Sequence, residues 1–111
     1  MLPISTITTL LDGLWVLLVS NEGELAAQDH AGRVPVMARA GDDQTYLLVF
    51  KNVATARRFV AAQDLDGAEP RMVVRGNRDD IVAVAREQGA AGTLLDYDPS
   101  TQAYAAASTL N

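Results

Sequence analysis

The stretch from Gln44 to Gln63 constrains this chain more than any other. Thr45 to Phe50 is a run of β-favouring or apolar residues without Gly or Pro, the composition of a strand buried on both faces. Asn52 follows, a residue whose side-chain oxygen can accept a hydrogen bond from the first free N–H groups of a helix. From Val53 the period changes. Val53, Ala56, Phe59, Val60 and Gln63 fall on one side of a helix, while Arg57 and Arg58 begin its wet side. A central strand turning directly into a covering helix is the seed of an α/β domain.

The rest of the chain supplies elements to surround that seed. Leu14 to Ser20 is solidly apolar, contains the sole Trp, and predicts a strand with Trp15 as a core or core-edge anchor. Asn21 to Gly32 is polar and reads as a loop. Val34 to Ala40 predicts a strand at a sheet edge, because Pro35 removes one ladder donor. Gly41-Asp42-Asp43 has turn composition and joins it to Thr45–Phe50 as an antiparallel hairpin.

Beyond the first helix, Asp64 to Pro70 predicts a loop and Arg71 to Arg75 a short strand. A second helix opens at Asn77 or Arg78, with Asp79 and Asp80 in the first turn, where the helix dipole favours negative charge. Its inner stripe is Ile81, Val84, Ala85 and Gln88, and Gly89 supplies a left-handed stop. Gly92 to Tyr97 predicts the next strand, ended by a turn at Asp98–Thr101. Gln102 to Leu110 suits either a final helix or a strand starting at Tyr104. Residues 1–13 suit either a short amphipathic helix closed by Gly13 or an irregular lead-in. The expected architecture is α/β, bordering on α+β: a single domain over residues 1–111, with a mixed sheet of about five strands and two to four packed helices. Two right-handed parallel crossovers are expected, from Thr45 to Val74 and from Arg71 to Tyr97.

Composition removes several classes of function. A chain of 111 residues is one domain's worth, and only six aromatics (two Phe, one Trp, three Tyr) leave the core to Val, Leu, Ile and Ala. The net charge of −5 argues against nucleic acid and against an anionic membrane surface, since both are met by clustered Lys and Arg. Without cysteine there is no disulfide, thiolate nucleophile or cysteine-held metal. No Lys or Arg precedes Arg33, so the apolar beginning does not read as a signal peptide. The longest apolar run there, Leu14 to Val19, is too short to span a bilayer, and a cytoplasmic location is expected.

Few residues suggest chemistry. Asp96 and Asp98 flank Tyr97 at the carboxyl end of a predicted strand, where α/β sheets usually place ligands. In a strand they would share one face and could hold a divalent cation or act as an acid–base pair; before Pro99 they also read as a turn opener. His30, the single histidine, follows Asp29 in a loop with no nucleophile motif to complete a triad. Gly89-Ala90-Ala91-Gly92 follows a helix instead of opening one, which is the wrong geometry for a phosphate loop. Lys51, Arg57 and Arg58 form a small basic cluster that reads first as a solvated helix face with local pairing, and otherwise as a site for an acidic partner or a carboxylate ligand.

Read together, Leu14 to Val19, Tyr46 to Phe50 running into a helix, Val73-Val74, and Ala83–Gly92 before Leu94-Leu95-Asp96 resemble the N-terminal domain of SseB-like proteins, the family linked to enhanced serine sensitivity. The resemblance extends from about Leu10 to Pro99. Where that family writes Phe-Thr-Ser at the strand-to-helix junction, this chain has Phe50-Lys51-Asn52, and its Asn-Pro-Gly turn is replaced by Asp96-Tyr97-Asp98-Pro99. The family has no established catalytic residues to carry over, so the resemblance implies a compact α/β module without assigning it a biochemical role.

The resulting expectation is a non-catalytic binding or protein-interaction module with no cofactor and no metal. Its binding residues would be Lys51, Asn52, Arg57, Arg58, Asp96 and Asp98, and its partner a protein. Two alternatives stand beside it: a metal-assisted hydrolase built on Asp96 and Asp98, and a homo-oligomer, such as a homodimer, formed through a sheet edge or the apolar N-terminal segment.

Overall fold

A computed structural model describes residues 11–20, 33–39, 43–65 and 67–109. Seven strands and two helices follow in the order β1 (Trp15–Ser20), β2 (Arg33–Pro35), β3 (Met37–Arg39), β4 (Thr45–Val49), α1 (Val53–Gln63), β5 (Glu69–Met72), α2 (Arg78–Glu87), β6 (Ala90–Leu95) and β7 (Ala106–Thr109). The N-terminal segment, read as either a short helix or an irregular lead-in, and the Asn21–Gly32 loop with His30 lie outside the described residues, apart from a turn at Leu11–Gly13.

The seed element forms as its residues require. Leu47, Leu48 and Val49 are all buried, so β4 is covered on both faces. Asn52 takes an extended backbone, and its Oδ1 accepts the Thr55 N–H at 2.8 Å and the Thr55 hydroxyl at 2.9 Å. These bonds satisfy a donor that the helix leaves free and fix where α1 begins. The helix ends at Asp64, whose left-handed backbone turns its N–H back onto the Ala61 and Val60 carbonyls.

The strands form two sheets instead of one, with orders β2-β1-β5 and β3-β4-β6-β7. The first is wholly antiparallel, and in the second only β4 and β6 run parallel. The β3–β4 hairpin is present, pairing Met37 with Leu47 and Arg39 with Thr45. Pro35 ends β2, and β2 and β3 are both edges, as a proline in this segment demands.

Two connections join the sheets. Trp15 and Phe50 exchange both backbone hydrogen bonds, at 2.7 and 2.8 Å. Val36, between β2 and β3, donates to the Leu17 carbonyl at 2.8 Å and accepts from the Leu48 N–H at 3.2 Å, so one residue bonds to both sheets. Alternate side chains of β1 and β4 therefore feed two cores. Val16, Leu18, Leu47 and Val49 pack with Val73 and with Ile81, Val82 and Ala85 of α2. Leu17, Leu48, Phe50 and Leu94 pack with Ala56, Phe59 and Val60 of α1. One helix thus covers each face.

The expected pair of crossovers is not found. β5 leaves α1 to pair antiparallel with β1, and β4 pairs in parallel with β6, so a single connection carrying α1, β5 and α2 replaces two short ones. β5 also begins earlier than expected and contains Pro70, which an edge strand tolerates. Val73 lies just beyond it, fully buried, donating to the Leu14 carbonyl at 2.7 Å and accepting from Gly13 at 2.8 Å. Asn77 does not cap α2. It accepts from the Val74 N–H and donates to the Met72 carbonyl, holding the turn between β5 and α2. Arg78 then donates twice to Asp12 at 3.0 Å, tying the start of α2 to the turn before β1. The two readings of the tail resolve to a strand, β7. Among the described residues no helix is long and apolar enough to cross a membrane.

Candidate binding cleft

Because β4 and β6 are parallel, with Val49 opposite Leu95, the chain leaves both strands at the same end of the sheet. Phe50, Lys51 and Asn52 emerge from one, and Asp96, Tyr97 and Asp98 from the other. Asp96 adopts a left-handed backbone with φ 54°. Its N–H donates to the Val49 carbonyl at 2.9 Å, and its Oδ1 accepts the Lys51 N–H at 3.2 Å. The carboxylate therefore laces the two strand ends together. A short polar side chain suits this conformation better than a bulky one.

Tyr97 turns inward and is buried. Asp98 points to solvent at the head of a tight turn, where its N–H donates to the Ala103 carbonyl and its Oδ1 accepts from the Ser100 N–H at 3.0 Å and the Ser100 hydroxyl at 2.7 Å. The Ser100 hydroxyl, and then the Ser100 N–H, favour the charged carboxylate and hold its pKa below the ordinary 3.8.

Between this turn and α1 lies a cleft of about 250 Å³. Phe50 and Phe59 form its aromatic base, with ring centroids 5.3 Å apart and planes tilted by 55°. Arg58, Thr55 and Gln63 stand on the helix side, and Asp96, Tyr97, Asp98 and Pro99 on the other. Among the described residues Arg58 has no ion-pair partner, although two carboxylates border the same cleft. The site can thus offer a guanidinium, two carboxylates and aromatic surface to one ligand.

Of the residues expected to bind, Arg58, Asp96 and Asp98 are brought together here. Lys51 lies at the edge through its backbone bond to Asp96, and Asn52 is committed to capping α1. Arg57 points elsewhere, onto a separate hollow of about 420 Å³ bordered by Asp64 and Pro70. The expectation that Asp96 and Asp98 share one strand face fails, because β6 stops at Leu95 and both residues belong to the turn. No group of three or more His, Asp or Glu side chains is placed to hold a metal among the described residues.

The sequence pattern points to the strand end at Phe50 as a place for function but puts Phe59 on the inner stripe of α1 and not at a site. Phe59 is only half-buried, and such an aromatic on the shoulder of a helix stripe, beside Arg58, was the available signal. Compared with known proteins, the chain matches no family model, no curated protein and no solved structure.

Proposed function

We propose that this protein is a small cytoplasmic, non-catalytic binding module of SseB-like type that meets a protein partner through the cleft between α1 and the Asp96–Pro99 turn. The observation that carries this reading is the unspent charge: Arg58 borders an aromatic cleft with Asp96 and Asp98 yet pairs with neither. A guanidinium without an ion-pair partner among the described residues is suited to a carboxylate from outside, and the Phe50–Phe59 base to an apolar side chain next to it. The place is also where parallel strands end, the usual ligand position in such sheets. The metal-assisted hydrolase is supported only by the presence of both carboxylates on this cleft, where Asp96 already accepts from the Lys51 N–H beyond β4 and Asp98 from Ser100 in its own turn.

The test is capture of a binding partner by the purified protein, with Arg58→Glu and Arg57→Glu run in parallel. A partner lost with Arg58→Glu and retained with Arg57→Glu supports the cleft, and a charge-assisted contact of this kind is worth about 1.5–3 kcal/mol, roughly tenfold or more in affinity. The reverse pattern moves the interface to the hollow beside Arg57. Turnover of a substrate panel that disappears in Asp96→Ala would establish the hydrolase instead.

A further inference from the structure

Among the described residues the two sheets have four edge strands, and three of them are guarded. β2 carries Arg33 and Pro35, β3 is three residues long and ends in Arg39, and β5 is Glu69-Pro70-Arg71-Met72. Prolines, charges and short length are the features by which native edges resist pairing with another chain. β7, four residues long, has neither proline nor charge. Its residues are Ala106-Ala107-Ser108-Thr109, it is the outer strand of its sheet, and residues 106–108 are exposed. Its pairing with β6 is well fixed, with a 2.7 Å hydrogen bond between the Thr93 and Ser108 hydroxyls. The strand therefore presents a formed, uncharged outer edge.

We propose that β7 is a self-association edge, at which two copies of this chain pair their β7 strands antiparallel about a two-fold axis and join their sheets into one. Charge identifies a second copy as the occupant. The chain carries a net charge of −5, so two copies repel on balance as they approach, yet residues 101–111 contain no charged side chain. This neutral segment is where like-charged bodies can approach at least cost. Alanine, serine and threonine on both strands give a contact that is complementary to itself, as an isologous interface requires. A foreign strand would draw specificity from side-chain pockets beside the edge, and neither cleft described above borders β7. Tyr104, half-exposed just before the strand, adds apolar surface at the margin of the pair.

The experiment is molar mass by light scattering or sedimentation from about 10 µM to about 1 mM, the range in which a small interface associates. The mass should climb from 11.8 kDa towards twice that value. Ala107→Lys should weaken association by about tenfold or more, because it places like charges opposite each other across the axis. Met72→Lys, an exposed change on the guarded β5 edge, should leave it unaltered. A mass that stays at the monomer value overturns the proposal, and so does association that survives Ala107→Lys or is lost with Met72→Lys. Should Ala107→Lys lose its fold by circular dichroism, amide exchange of the unaltered protein decides. Slower exchange at high concentration confined to residues 105–109 supports the edge, and exchange independent of concentration overturns it.

Discussion

Asp96 and Asp98 show how one residue type serves different ends two positions apart. Asp96 holds a left-handed turn and laces two strand ends, while Asp98 organises the next turn from the surface. With its folded pKa lowered, Asp98 contributes stability that is present above its unfolded value of 3.8 and lost as pH falls through the lower folded value. Following its carboxyl carbon by NMR should give a midpoint below 3.8, and Ser100→Ala should bring that midpoint upward. A midpoint unmoved by Ser100→Ala would show that the turn does not act on the carboxyl. The pairing of these aspartates with Pro99 made the turn legible from sequence; the place where β6 stops was not, because Asp96 leaves the strand only through bonds to Val49 and Lys51, far away in the chain.

At the scale of elements, the β4–α1 junction was readable because every signal in it is local. A strand-like run, a capping Asn and a helical stripe lie within one window, and α1 spans the expected Val53–Gln63. Asn52→Ala should cost about 1 kcal/mol in denaturant unfolding, the usual worth of such a cap. A loss near zero would mean that water replaces the side chain at no cost. α2 was readable in extent but not in full burial. Val82 was left out of the inner stripe and is buried, because α2 packs against β2 as well as β6 and so hides a wider arc than one contact line would. The strand β5 was misplaced towards Val73 and Val74 because Pro70 looked like a strand breaker. At an edge its missing N–H faces no partner and costs little.

For the whole molecule, what could not be read was which strands pair. Local periodicity reports that a strand has two buried faces but not which neighbours it takes, and the β4–β6 pairing closes over all of α1, β5 and α2. The division into two cores has a sharp consequence at adjacent positions. Leu47 belongs to the core under α2 and Leu48 to the core under α1. Each change to Ala should cost about 2–5 kcal/mol in denaturant unfolding, because each leaves a cavity in a separately packed layer. If either cost fell well under that range, its side of the sheet would be loosely filled.

The guarded edges bear on stoichiometry. A body with sticky edges at both ends of a sheet is divalent and can add copies without limit, the route to fibres. Here Pro35, Arg39 and Pro70 stand at the other edges, so among the described residues β7 is the edge without proline or charge, and the proposed pairing would make the molecule monovalent. Pairing consumes that single valence on both partners at once. Under the proposed pairing growth would terminate at two copies, and raising the concentration would fill the dimer rather than seed a polymer.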